Sequence, residues 1–588
     1  MAVPSSHHAP SPDAMPTTRG LNFYRADPNL EFVCSTILQP TDLDRAQPLL
    51  IDMGGVAGEE LDALAAEANR HPPELRAWDE RGQRIDEIVF HPAYAAMERL
   101  AFCRFGLAAM SHRPGVLGWP GLTPHVVKYA LSYLFAQAEF GLLCPVSMTD
   151  SAARMLRWYG SEALKAAYLP RLTTTDFAQL WQGTQWMTER TGGSDVGALT
   201  TVARCDAAGT WRLWGDKWFC SNANAQVALT LARPEGAPAG TKGLGMFLVP
   251  KYLPDGSKNA WTINRLKDKL GSRSMATGEV TYAGAVADVV GELTRGFRQM
   301  MEMVNVSRLS NAMRSAGMMR RSFLEALVHA RHRLAFGRVL IDLPLLRLNL
   351  LDMLLDTEAA SSVILNAAAA LDRWDAGSAA ARPLFRILTP LAKYWITARA
   401  RTVAGEAMNV RGGNGYVEEW VNARIVRDSY LGGIWEGATN VVALDVQRAL
   451  LRDGCHEALF ELFRQRLETV TESAAKPWVD VVQAAVDTAD RQLAAWPGLS
   501  TPERELRARA TADLLYHLLA ASLLLAEGQI LRHRSGNFRK FLVAALYIRK
   551  WLQPAAAGAP AFLTRHLDWL DALCDWRPIP EGAFASVG

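Results

Sequence analysis

One carboxylate, Glu436, stands between Trp435 and Gly437 in the stretch GIWEGATN, with small residues on either side. A carboxylate held beside a bulky apolar ring is a poorer anion, so its proton affinity rises toward the range useful to a general base acting on a weak carbon acid. Small neighbours leave room for a substrate. The same letters fit a surface glutamate ahead of an ordinary helix, which Thr439 or Asn440 could cap at an end that attracts phosphate. In MTERTGGSDVG, hydroxyls at Thr188, Thr191 and Ser194 accompany Gly192 and Gly193. Such a loop lets backbone N–H groups approach an anionic or heterocyclic ligand, although a tight turn reads the same way. KWFCSN sets Trp218, Phe219, Cys220 and Ser221 along a strand, by pattern a core strand, and RGGNGYVEEW is a Gly-rich turn between helices. No GxGxxG follows a strand and neither a Walker loop nor HExxH occurs, so Rossmann, P-loop and zincin chemistry have no support and no metal is expected.

The elements that must position these residues change character along the chain. Residues 21–180 are helical by period, as in EELDALAAEANR. Residues 181–295 break into short runs rich in Val, Thr, Trp and Phe between Gly, Pro, Asp and Asn, which predicts an antiparallel sheet or barrel. Long helices return over 296–450 and again over 451–588. The first twenty residues, rich in Pro, Ser and His without the pattern of a secretory signal, read as a disordered tail. At 588 residues, 49% hydrophobic and 21% charged, the chain is long enough for several cores. A net charge of +3 excludes a polyanion partner engaged over the whole surface. Seven cysteines, an odd number with no CxxC, predict reduced thiols and a cytoplasmic protein. The longest apolar run, LLYHLLAASLLLA, is shorter than the roughly 20 residues a bilayer needs and predicts a buried helix face rather than a membrane span.

In their order, MTERTGGSDVG, GDKWFCSN, LKDKLGSRSMATGEVTY, HARHRLAFGR, MNVRGGNGY and IWEGATN resemble the acyl-CoA dehydrogenase flavoproteins across about residues 95–450. ANRHPPELRAWDERGQRIDEIVFHP, GLLCPVSMTD, FLVPKYLPDGSKNA and the extension beyond 451 resemble the AidB-like, alkylation-response branch of that family. The resemblance implies an α+β, mostly α fold: an N-terminal helical domain, a central β-barrel, a helical bundle and an extra C-terminal helical domain. It implies FAD between barrel and bundle, an acyl-CoA or related substrate, and a homotetramer built as a dimer of dimers. Met187, Thr188 and Ser194 would then line the flavin with Phe219 and Ser221, and Trp435 and Thr439 would border it. Arg333, Phe336, Gly412 and Gly413 match positions that reach FAD from a partner subunit. Glu436 matches the base that removes the pro-R α-proton of a thioester while hydride leaves the β carbon for flavin N5. Some relatives carry the base on a bundle helix at the position of Ser307, which cannot serve, so Glu436 is the sole candidate. Asn409 replaces a common Gln and Thr191 a common Pro.

The same branch implies a second activity, sequence-independent binding of double-stranded DNA in the response to alkylation. Residues 451–588 hold 16 basic and 16 acidic residues, but 531–550 gather Arg532, Arg534, Arg539, Lys540, Arg549 and Lys550 without an acid. Such a cluster neutralises phosphates, or forms a solvated helix face. The expectation is therefore an FAD-dependent acyl-CoA dehydrogenase-like oxidoreductase, or alternatively a DNA-binding protective flavoprotein with vestigial dehydrogenase activity.

Overall fold

The runs of β-branched and aromatic residues between 183 and 289 form seven strands: β3 (Gly183–Trp186), β4 (Val202–Cys205), β5 (Trp211–Ser221), β6 (Val227–Pro234), β7 (Gly245–Pro250), β8 (Trp261–Leu266) and β9 (Thr277–Val289). They follow β1 (Glu74–Trp78) and β2 (Arg84–Val89), an antiparallel hairpin inside the stretch expected to be helical. Its Ile88 joins the barrel core and its Arg84 donates to the Ile263 carbonyl at 2.6 Å, so the hairpin belongs with the strands in packing. The computed structural model describes residues 15–553 and 566–586.

The sheet runs β3-β6-β4-β5-β9-β7 and closes through β7 onto β6, with β8 on β9. It is mixed rather than antiparallel. β3 and β4 both pair with β6 in parallel, because each reaches it through a crossover and not a hairpin. Strands β6 and β7 are almost continuously apolar, and alternation divides their side chains. Ala228, Ala232, Phe247 and Val249 fill the barrel, whereas Leu229, Leu231, Met246 and Leu248 pack with Met300 and Met303 of the following helix. That second layer fastens the barrel to the bundle.

The bundle is built on three long helices, Gly296–His332, Pro344–Asp375 and Ala381–Arg411, with Val421–Gly432 and Thr439–Leu451 after them. The C-terminal helices Cys455–Glu468, Lys476–Ala494, Thr501–Ser535 and Arg539–Trp551 share its core, where Trp395 stacks on Tyr516 at 4.3 Å. Two helices, Pro344–Asp375 and Thr501–Ser535, are long and apolar enough to cross a membrane, and 89% and 83% of their apolar windows are buried in this core. The run LLYHLLAASLLLA lies in the second, packed rather than exposed.

Two expectations are corrected. Residues 1–14 of the expected disordered tail lie outside the described residues, but 15–20 are packed: Thr18 is fully buried and donates to Glu325, and Arg411 donates to the Pro16 carbonyl at 3.3 Å. The basic run 532–550 is not a solvated face. Arg539 and Lys540 are buried and converge on Glu358, with Arg539 Nη2 2.5 Å and Lys540 Nζ 3.2 Å from its carboxylate, and Lys540 also meets Glu527 at 2.7 Å. Lys550 pairs with Asp352 and Asp356, Arg532 with Glu472, and Arg534 donates to Ser35 at 2.7 Å. Arg549 lies 5.0 Å over the Trp478 ring. The acids that sequence adjacency lacked arrive from other helices, because the Arg539–Trp551 helix is wrapped by the bundle.

Candidate active site

Glu436 sits where the chain leaves the Val421–Gly432 helix for the Thr439–Leu451 helix. Its backbone is left-handed, φ +58°, a conformation disfavoured for a residue with a Cβ, and Gly437 follows at φ +99°. Three groups keep the loop in that shape. Arg308 Nε donates to the Glu436 carbonyl at 3.1 Å, Asn311 Nδ2 to the Gly432 carbonyl at 2.9 Å, and Lys393 Nζ to the Gly437 carbonyl. Arg308 is held by an ion pair with Asp445. Burial, with Arg308 close by, pushes the Lys393 ammonium down to about 7.

The carboxylate faces the barrel. Glu436 Oε1 accepts from Ser307 Oγ at 2.7 Å and from Gln185 Nε2 of β3 at 3.4 Å. Beside the apolar ring of Trp435 the carboxylate thus has polar partners as well: the Gly296–His332 helix turns Ser307, Asn311 and Arg314 toward the loop, spaced to share one helix face. Trp435 itself is half-buried, stacked on Phe140 at 5.6 Å with the Arg314 guanidinium 4.8 Å from its ring. Thr439 is the first residue of its helix, whose cap is Ala438 without a side-chain hydrogen bond, so neither Thr439 nor Asn440 caps it.

Gln185 leads directly into the Gly-rich loop. Met187 and Thr188 are half-buried at its start and Ser194 is exposed at its tip. The loop is clamped from below by Glu189, which pairs with buried Lys217 at 2.9 Å and accepts from Thr200 N and Oγ1 and Thr201 N and Oγ1 at 2.5–3.1 Å. These partners hold the Glu189 carboxyl down to about 2, against the burial that raises it. A Cβ on Gly193 would lie 2.8 Å from Thr188 Oγ1. β5 runs alongside: Trp218 N donates to the Thr188 carbonyl at 2.9 Å, and the Ser221 carbonyl accepts from Trp186 Nε1 at 3.0 Å and Thr184 Oγ1 at 2.7 Å. Phe219 is not the core residue its strand position predicts; it is 56% exposed beside this loop.

Glu436, Trp435, Met187, Thr188, Phe219 and Ser221 thus lie on the elements where barrel and bundle meet, joined by the Gln185–Glu436 hydrogen bond. Arg333, Phe336, Gly412 and Gly413 do not. They are exposed at the far end, with Phe336 on the hairpin of β10 (Leu334–Ala335) and β11 (Arg338–Val339). Twenty-six helical positions from Ser307 to Arg333 span roughly 40 Å, too far for one chain to bring both sets to one ligand. Gln185, Arg308, Arg314 and Lys393 escaped sequence reasoning, and Ser307 entered it only as a position that cannot supply the base. The only signal was the 307–311–314 spacing, which alone is indistinguishable from ordinary helix.

Family models match the chain in three consecutive pieces: the adaptive response protein AidB N-terminal domain over 14–179, the acyl-CoA dehydrogenase middle domain over 184–285, and the acyl-CoA dehydrogenase C-terminal domain over 294–451. Together they take in more than two thirds of it. The chain belongs to the acyl-CoA dehydrogenase family. The putative acyl-CoA dehydrogenase AidB of Escherichia coli is 37% identical over 424 residues, covering 70% of this chain and 75% of that one. Among solved structures, Bd2924 in its apo-form is 31% identical with a TM-score of 0.78, covering 87% of this chain and 99% of its own. Caenorhabditis elegans ACDH-11, solved in complex with C11-CoA, is 28% identical with a TM-score of 0.84, covering 92% and 93%. Membership brings the family's reaction class, flavin-dependent oxidation of a CH–CH group with FAD as cofactor. The residues present suit that cofactor: an exposed aromatic ring at Phe219, a loop that a Cβ would crowd at Gly193, and a buried, unpartnered side-chain amide oxygen on Gln185.

Proposed function

We propose that the protein is an FAD-dependent acyl-CoA dehydrogenase of the AidB-like branch in which Glu436 is the base. The observation that carries this is the position of Glu436 Oε1, held by Ser307 of the bundle and Gln185 of the barrel where the two meet, beside the loop that Met187 and Thr188 begin. Bound FAD supplies the hydride acceptor. Glu436 receives the α-proton of the thioester at its carboxylate. Ser307 and Gln185 aim that carboxylate, and Arg308, Asn311 and Lys393 fix the backbone beneath it. Trp435 and Phe140 stack beside it and keep water from the proton being moved.

Phe336, 90% exposed at φ +54° on its hairpin tip, and the exposed Arg333, Gly412 and Gly413 are the surface through which a partner subunit would complete each flavin site, in a dimer of dimers. DNA association draws little support from residues 532–550, where Arg539 and Lys540 are buried in ion pairs, Lys550 and Arg532 pair with carboxylates, and only Arg534 of these cations is exposed. Anaerobic titration of the purified flavoprotein with straight and branched acyl-CoAs tests the proposal. The flavin absorbance is expected to bleach, and Glu436→Gln is expected to retain FAD and lose bleaching by 10³-fold or more in rate, roughly the 10²–10⁴ attributed to a general base. Bleaching at the wild-type rate in Glu436→Gln would remove Glu436 from the mechanism.

A further inference from the structure

Arg314 is a fully buried cation whose hydrogen bonding is incomplete. Among the described residues no carboxylate forms an ion pair with it, its Nη1 has no hydrogen-bond partner, and its Nε reaches only the Ser310 carbonyl at 3.3 Å. Glu436 attracts it without a direct ion pair, and its other neighbours are uncharged. It lies against the rings of Trp435 and Phe140, 4.8 and 5.1 Å from their centroids, and hydrogen-bonds Cys144, whose thiol burial pushes up to about 11 and so keeps uncharged. The nearby carboxylate, Glu436, is already engaged by Ser307 and Gln185. Unpaired buried guanidinium is costly, and the cost is offset only when an acceptor enters.

A second orphan donor lies beside the first: Trp435 Nε1 is buried without a partner. Two convergent N–H donors on stacked groups, one permanently charged, are the chemistry that receives a carboxylate. Cys144, Met148 and Met275 pack with Trp435 and provide an apolar wall for methylenes leading to it. Arg314 stands seven residues beyond Ser307 on the same helix, and its guanidinium lies 4.8 Å from the ring of Trp435, the residue next to Glu436, on the apolar side of the loop.

We infer that Arg314, with Trp435 Nε1, binds a carboxylate at the distal end of the acyl group, so that the preferred substrate class is the mono-CoA thioester of a dicarboxylic acid. This rests on the dehydrogenase reading above for the placement of the thioester end. Calorimetric titration of anaerobic holoenzyme with adipyl-CoA and hexanoyl-CoA, matched in carbon number, tests it by binding, with flavin absorbance followed in parallel. Wild type is expected to bind adipyl-CoA at least 10-fold more tightly. Arg314→Met is expected to lose about 10- to 100-fold for adipyl-CoA, the range for a charge-assisted hydrogen bond, and none for hexanoyl-CoA. Arg314→Lys, which keeps the charge and loses the fork, should retain part of the preference; it and the wild-type ratio carry the test where Arg314→Met does not fold. Equal wild-type affinities, or equal losses for both thioesters in Arg314→Met, would overturn the inference. Preferential adipyl-CoA binding with no bleaching by either thioester would support it while removing the dehydrogenase reading.

Discussion

At the scale of single residues, the unusual feature is the backbone of Glu436. A left-handed glutamate costs on the order of 1–3 kcal/mol, and it persists because Arg308 and Lys393 grip its own carbonyl and that of Gly437. The side chain is thereby pointed at the barrel. Ser307, which occupies the helix position where some relatives carry the base, serves here as a positioning residue. Ser307→Ala is expected to lower kcat about 10-fold, one hydrogen bond's worth of aim, with little change in KM. Steady-state kinetics of the variant check this, and rescue by Ser307→Thr separates aim from packing.

The site also depends on how one element meets another. β3 is only four residues long, yet it carries Gln185 to Glu436 at one position and delivers Met187 and Thr188 to the loop immediately after. Its parallel pairing with β6 fixes where it ends. The loop is then set by the Glu189–Lys217 pair beneath it and by the absence of a Cβ at Gly193. Gly193→Ala is expected to push Thr188 aside and reduce bound FAD several-fold without loss of helix or sheet. The ratio of flavin to protein absorbance, set beside far-UV circular dichroism, measures both quantities.

Across the whole molecule, buried charge joins the C-terminal helices to the rest. Glu358 pairs with Arg539 and shares Lys540 with Glu527, and Asn29 of the N-terminal Pro28–Ile37 helix accepts from Lys540 at 2.9 Å. Glu358→Gln leaves Arg539 buried without its anion and is expected to cost about 3–5 kcal/mol, read as a lowered thermal midpoint. Arg539 and Lys540 hold the Glu358 carboxyl down to about 2, from an ordinary value near 4.5. A lowered carboxyl contributes stability that is complete above its ordinary value and fades as pH falls toward the folded one. The difference in thermal midpoint between wild type and Glu358→Gln should therefore be full above about pH 5 and shrink between about 4.5 and 2. At the opposite end, Phe336→Glu puts a charge on the exposed hairpin tip. Light scattering is expected to report a smaller assembly, with FAD lost in parallel; an unchanged assembly would assign the subunit contact elsewhere.

The order of elements was legible in the chain because it is written in local periods: apolar residues every three or four positions before 180 and after 296, and short β-branched runs between Gly and Pro in the middle. Glu436 and the Gly-rich loop stood out as residue types, but the same letters fit a surface glutamate and a tight turn, and the family resemblance rather than the types gave them a role. The hairpin at 74–89 and the parallel pairings of β6 were not legible, because pairing partners are chosen by distant strands. Nor was the fate of Arg539 and Lys540. Six cations without a nearby acid look solvated in a one-dimensional reading, and only the packing of helices far apart in the chain brought Glu358 and Glu527 to them. Arg314 is the converse case: an arginine among several in its helix, it became conspicuous only once tertiary structure had buried it and left its Nη1 without an acceptor.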